Sequence, residues 1–367
     1  MKRRINIRIV QSVVPKYRVA FFDSLELKGY NLTVYASKKN EKGLTSEELN
    51  YNDFDYSLGF YNILGVVFFQ SFYRYIKGLK SGDVIILSGN PRLASNYIVL
   101  LIAKMLGVKV ICWSHGWSAG KHGLSAKIRH LIMRAYHSAL LYTEKEVDEF
   151  LKNKILDKDH LYFLNNGIEF DPEIHRYGKQ RCFNLDNSTK NILFIGRLTE
   201  KSNLLLLLES MKLLDQTYRL VVIGEGALMN TAKSFIIENK LENIEFVGSV
   251  YNDSDLISYF EISDLFVYPG NVGLSLLHSF AFGLPAVLHS NVKNHQPEFA
   301  ASSPKNSIYF DENDFNSLAN AIESYFGLSR DDKISMSKNS YLTVKEKYNT
   351  KKMAENFEKM IDSLVSK

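Results

Sequence analysis

Tyr268-Pro269-Gly270-Asn271-Val272-Gly273-Leu274-Ser275-Leu276-Leu277-His278-Ser279-Phe280-Ala281-Phe282-Gly283-Leu284-Pro285 joins two short apolar runs, 265–268 and 285–288. A glycine-rich turn that leaves one apolar run and opens an apolar helix is the joint of a parallel sheet. The first amide N–H groups of that helix have no intrahelical partner, and its dipole adds positive potential, so the turn is a candidate phosphate site. Asn271, Gly273, Leu274 and Ser275 are its candidate contacts. His278 lies four residues beyond Leu274 and is expected on the same side of the helix, as a ligand or as an ordinary structural histidine.

Outward from this turn, similar runs recur. Residues 5–10, 32–36, 84–87, 108–113, 139–142 and 161–164 form one series, and 192–195, 220–223, 244–247, 265–268, 285–288 and 308–310 a second. Near-continuous apolar strands separated by helical patterns imply parallel sheets covered on both faces. The expected fold is α/β, with two doubly wound Rossmann-like domains and a cleft between them. The expected domains are 1–168 and 191–349, with 169–190 as a polar linker containing Pro172 and Gly178. Residues 350–367 carry Met353, Phe357, Met360, Ile361 and Leu364 at steps of three and four, an amphipathic helix expected to pack back toward the first domain.

Composition sets limits on function. With 367 residues, 46% hydrophobic and 23% charged, the chain has the makeup of a globular protein of two domains. Its two cysteines, Cys112 and Cys182, cannot build a disulfide framework or a metal site, and no metal or other cofactor is expected. Forty-five basic against 40 acidic residues, with no dense basic block, argue against nucleic acid. No run is long enough to span a bilayer and the start is not a secretory signal, so a cytoplasmic location is expected. Residues 60–75 and 121–134 mix apolar and basic side chains. Read as amphipathic helices, they suit contact with the inner face of the cytoplasmic membrane, or else buried core.

In open parallel sheets, chemistry sits in the loops after the strands. After 192–195 comes Gly196-Arg197-Leu198-Thr199-Glu200-Lys201, where Arg197 and Lys201 can place two cations over a diphosphate. Gly224-Glu225-Gly226 lacks the third glycine of a dinucleotide fingerprint and is expected to be only a tight turn. His295-Gln296-Pro297-Glu298 offers Glu298 either to a sugar or ribose hydroxyl or to a helix start.

Together with Asn166-Gly167-Ile168-Glu169, Phe246-Val247-Gly248 and Ser263-Asp264-Leu265-Phe266-Val267, these motifs resemble, in order and spacing, the retaining GT-B glycosyltransferases of family 4. Two departures stand out. The family commonly carries glutamates where this chain has Gly270 and His278, and a phosphate lysine where it has Ser202, with Lys201 one position earlier.

The resemblance extends to the first domain. Pro15-Lys16-Tyr17-Arg18 looks like the corresponding loop of bacterial polysaccharide-assembly members, which implies Tyr17 and Arg18 on the acceptor side. Trp113-Ser114-His115-Gly116-Trp117 holds both tryptophans of the chain, whose indole faces suit sugar rings. His115 falls where the family often places an active-site histidine, and is the candidate catalytic residue.

The resemblance thus implies a hexosyltransferase-type glycosyltransferase. It would move a sugar from a UDP- or GDP-sugar to a hydroxyl of a glycan or lipid-linked glycan, with retention, in O-antigen-like surface polysaccharide synthesis. Fixed cations would stabilise the departing diphosphate without a metal. The alternatives are a nucleotide-sugar epimerase of the same fold, which would need the missing carboxylates, and a catalytically silent sugar-nucleotide-binding partner.

Overall fold

The computed structural model describes residues 3–27, 29–40, 43–49, 53–63, 67–116, 124–176, 189–250 and 253–366. The chain forms two compact units, one of residues 1–166 with 350–367 and one of residues 167–349.

The strands of the first unit are β1 (Ile5–Val10), β2 (Tyr30–Tyr35), β3 (Phe54–Asp55), β4 (Phe60–Ile63), β5 (Val67–Gln70), β6 (Val84–Ser88), β7 (Lys109–Trp113), β8 (Ser138–Leu141) and β9 (Leu161–Phe163). Its helices are α1 (Val19–Asp23), α2 (Tyr73–Ile76), α3 (Ala94–Met105), α4 (Leu124–Met133) and α5 (Glu144–Lys152). Seven strands make one sheet in the order β3-β2-β1-β6-β7-β8-β9, every pairing parallel. The order reverses between β1 and β6, so the loops after these two strands diverge and leave a crevice at their carboxyl ends.

The second unit carries β10 (Lys190–Ile195), β11 (Tyr218–Ile223), β12 (Ile244–Gly248), β13 (Leu265–Tyr268), β14 (Ala286–His289) and β15 (Ser307–Phe310). Its helices are α6 (Leu204–Met211), α7 (Met229–Glu238), α8 (Asp253–Ile262), α9 (Leu274–Ala281), α10 (Phe315–Phe326) and α11 (Arg330–Glu346). These six strands are also all parallel, in the order β12-β11-β10-β13-β14-β15, with the reversal between β10 and β13. Central strands such as β13 and β14 are buried at every residue, which is why they read as unbroken apolar runs rather than alternating ones.

The last helix, α12 (Thr350–Ser366), belongs to the first unit. Its Met353, Phe357, Met360, Ile361 and Leu364 join the core around Ile7, Phe21 and Trp113. Phe357 meets Phe21 edge-on at 5.7 Å, and Asn356 donates to the Leu164 carbonyl. The unit boundary falls after Asn166, two residues before the expected limit of 168. The segments that connect the units run side by side, because Ile168 bridges to Asn349. A Cβ on Gly167 would lie 2.4 Å from the Asn349 backbone, so this position excludes a side chain. Residues 177–188 of the expected linker, with Cys182, lie outside the described residues.

One expected element is different. Residues 60–75 are not an amphipathic helix but the antiparallel hairpin of β4 and β5 followed by the one-turn α2. Phe and Val at this density fit a pleated, half-buried surface better than a helix, and β5 buries alternate residues against α3.

Candidate functional site

In the second unit, the loops after β10 and β13 lock together. The Asn271 N–H donates to the Lys201 carbonyl at 2.8 Å. Gly270 sits so close that a Cβ there would lie 2.1 Å from the same carbonyl oxygen and 2.6 Å from the Ser202 carbonyl carbon. Where the family carries a glutamate, this backbone leaves no room for any side chain. Ser202, at the family's lysine position, is buried, and its hydroxyl donates to the Thr199 carbonyl and accepts from the Thr199 N–H. Arg197 and Lys201 are both exposed on this loop. Gly224-Glu225-Gly226 is a structural turn: Leu198 donates to the Glu225 carbonyl, and Gly226 packs on the Leu198 carbonyl.

Gly273 is the N-cap of α9 and supplies no side-chain cap, so the first amides of the helix are not covered from within. Ser275 lies in that first turn. The Leu274 side chain is half-buried. It packs against the core of the unit. His278 is exposed in the last turn of the helix. Glu298 is buried in the turn Pro297–Ala301, its carboxylate 3.8 Å from where a Cβ of Gly273 would stand. A carboxylate therefore does reach the glycine turn, from a different loop than in the family pattern.

Two histidines not singled out from the sequence support the turn. His295 accepts from the Val272 N–H through Nδ1 at 3.3 Å, and its Nε2 lies 2.9 Å from the His289 carbonyl. That pair of bonds requires a neutral ring protonated on Nε2. Burial pushes the His295 pKa down to about 3, with His289 stacked on it at 3.7 Å adding to the effect.

In the first unit, the loops after β1, β6 and β7 line a cavity of about 770 Å³. Arg18 is 5% exposed, bonded to the Gln11 amide oxygen and, at 2.9 Å, to the Tyr142 hydroxyl. Its guanidinium lies 4.4 Å over the Trp113 ring. Trp113 therefore does not offer the open indole face expected for a sugar. It is 2% exposed, packed in the core, with Arg18 over its ring. Tyr17 is exposed at the rim, and Trp117 lies outside the described residues.

His115 stacks on Tyr142 with ring centres 3.9 Å apart and lines the same cavity. Burial, then the Arg18 and Arg129 cations, push its pKa down to about 4, so at neutral pH it is an uncharged acceptor or donor rather than a cation. Its loop is anchored by Glu146, a residue the sequence reading did not select. Buried Glu146 accepts from the N–H groups of Gly116, Tyr142 and Thr143, each within 3.0 Å. Burial raises its pKa to about 7 against these bonds. The signal was legible: Thr143-Glu144-Lys145-Glu146 has the capping-box spacing, and the box forms at the start of α5. Among the described residues, no group of three or more His, Cys, Asp or Glu side chains is placed to hold a metal.

Residues 179–342, which fall in the second unit, match the family Glycosyl transferases group 1. No curated protein sequence matches the chain. Solved structures match along nearly the whole length. The lipopolysaccharide outer core galactosyltransferase WaaB, in its apo form, is 14% identical over 98% of this chain and 99% of that chain, with a TM-score of 0.71. A glycosyltransferase from Rickettsia africae ESF-5 is 14% identical over 99% of both chains at 0.67. Anabaena HepE in complex with UDP is 10% identical over 98% of this chain and 100% of that chain, also at 0.67. At these identities the likeness concerns the fold, two Rossmann-like α/β units of the GT-B kind.

Proposed function

We propose that this chain, whose second unit matches the group 1 glycosyl transferases, is a glycosyltransferase that uses a UDP- or GDP-sugar. The observation that carries the reading is the glycine turn at Gly270–Gly273, locked to the loop of two exposed cations and opening a helix without a side-chain cap. In this reading, Arg197, Lys201 and the amides of Leu274 and Ser275 hold the diphosphate. Positive charge already in place there stabilises the charge that develops as the bond to the sugar breaks. Glu298 supplies the carboxylate for a sugar or ribose hydroxyl, and Asn271 and His278 border the donor. The first unit takes the acceptor, a hexose-bearing glycan of a lipid-linked surface polysaccharide such as an O-antigen. Neutral His115 assists the transfer, and the family resemblance supports retention of configuration.

Nucleotide binding tests this reading. A panel of nucleotides and nucleotide sugars should contain at least one, UDP- or GDP-based, that raises the unfolding temperature by mass action. Arg197→Ala should weaken that binding by about 1.5–3 kcal/mol, the worth of a charge-assisted contact. No stabilisation across the panel would overturn the proposal.

Contact with a membrane surface belongs to the same reading. On α3, Tyr97, Ile98, Leu101 and Met105 are exposed, Met105 by 80%. On α4, Ile128 and Leu131 are exposed, and Lys104, Lys127 and Arg134 stand exposed among them. Consecutive crossovers β6-α3-β7 and β7-α4-β8 along adjacent strands place the two helices on one face of the sheet. Among the described residues, no helix is long and apolar enough to cross a membrane.

A further inference from the structure

We propose that Glu146 is a positioning residue for His115: its carboxylate ties the loop that carries His115 to the strand end that carries the ring on which His115 stacks. This rests on reading His115 as the residue that assists the transfer. Among the described residues, the His115 ring has no hydrogen-bond partner, which leaves its nitrogens to a substrate. Its orientation therefore depends on two things. One is the stack on Tyr142, with ring centres 3.9 Å apart and planes 14° apart, and the other is the backbone on either side of it.

Glu146 holds both. Its Oε1 accepts from the Gly116 N–H at 2.9 Å, one residue beyond His115. Its Oε2 accepts from the N–H groups of Tyr142 at 2.9 Å and Thr143 at 3.0 Å. The carboxylate is itself fixed, because Glu146 is 3% exposed and sits in the first turn of α5, where the Thr143 hydroxyl accepts from its N–H at 3.2 Å.

The groups it joins are held from their other sides as well. His130 Nε2 lies 3.1 Å from the Gly116 carbonyl, and a Cβ on Gly116 would stand 2.5 Å from the Phe150 ring. The Tyr142 hydroxyl accepts from Arg18 at 2.9 Å. A capping box requires only the reciprocal bonds between Thr143 and Glu146. The bond to Gly116 lies outside the box and spans 30 positions of the chain. Three N–H groups converge on the two oxygens, a demand that an ionised carboxylate meets. Glutamine offers one accepting oxygen and one donating amide, so in its place one side of the link must break.

Nuclear magnetic resonance of the full chain, with isotope-labelled histidine rings, tests the proposal, the His115 signal being identified by its loss in His115→Gln. In wild type, the Tyr142 ring should shift the His115 ring protons upfield, and the Gly116 amide should be protected from hydrogen exchange. Glu146→Gln should move the His115 signal and speed Gly116 exchange about tenfold or more, the mark of local opening, while His175, His278, His289 and His295 of the second unit keep their signals. Turnover is read as nucleoside diphosphate released from UDP-glucose and GDP-mannose. Its kcat should fall about tenfold or more with KM unchanged, since geometry at His115 is lost and donor binding is not. An unmoved His115 signal in Glu146→Gln overturns the proposal. So does fast Gly116 exchange in wild type, a measurement that needs no variant to fold. A displaced His115 with turnover unchanged, or absent in wild type as well, counts against the transferase reading and leaves the anchor standing.

Discussion

Gly270 illustrates what a single residue decides. A methyl group there would press on the Lys201 and Ser202 backbone, which cannot swing aside as a flexible side chain would. Gly270→Ala is therefore expected to destabilise the second unit by about 1–3 kcal/mol, the usual penalty of overpacking, measured by denaturant unfolding. An unchanged midpoint would mean that the two loops part easily and do not form a fixed site. The sequence shows glycine where the family has glutamate, but only the fold shows that the Lys201–Ser202 backbone fills that space. Trp113 teaches the same from the other direction. An indole at a strand's carboxyl end reads as a sugar platform, yet α12, from the far end of the chain, closes the core over it and Arg18 covers its ring.

At the scale of elements, strands were the most legible, since two-sided burial writes itself as unbroken apolar runs. Aromatic segments were less so. Residues 60–75 have the composition of an interfacial helix and form a hairpin, because pairing partners, which sequence order does not display, decide between the two. The apolar face of α3 escaped notice for a related reason. Val99, Leu100 and Ala103 are buried while Tyr97, Leu101 and Met105 are exposed, so the helix is apolar nearly all round and its outer stripe cannot be told from its inner one. If that stripe meets lipid, Leu101→Glu with Met105→Glu should abolish co-sedimentation with anionic vesicles and leave the unfolding temperature within about a degree. Equal sedimentation of wild type and variant would remove α3 from any membrane contact.

For the whole molecule, pH separates the two units. In the first, His115 is pushed down to about 4 and Glu146 up to about 7. On acidification from pH 6.5 to 4.5, the unfolded chain takes up a proton at His115 that the native state refuses, which destabilises the fold. Glu146 takes up its proton in the native state first, which stabilises it. The two effects oppose each other. In the second unit, His295 is held down to about 3, and His175 and His289 are also lowered by burial. All three favour the unfolded state as pH falls below about 6.5, with no raised carboxyl among the shifted groups of that unit's described residues to offset them. The second unit should therefore lose stability first. Both tryptophans lie in the first unit, so circular dichroism should register an acid transition before tryptophan emission does. Coincident transitions would contradict this.

The sequence by itself determined the class of the fold, two parallel sheets wound on both faces, and the position of the glycine turn after β13. Apolar periodicity and glycine spacing are local properties, readable wherever they occur. Only the tertiary structure decided which side chains those loops could use. Gly270 is forced by a backbone 69 residues earlier, Glu298 arrives at the turn from another loop, and Arg18 is buried among neutral groups gathered from three strand ends. Such contacts join residues far apart in the chain, and steric exclusion and charge burial exist only once folding has brought them together.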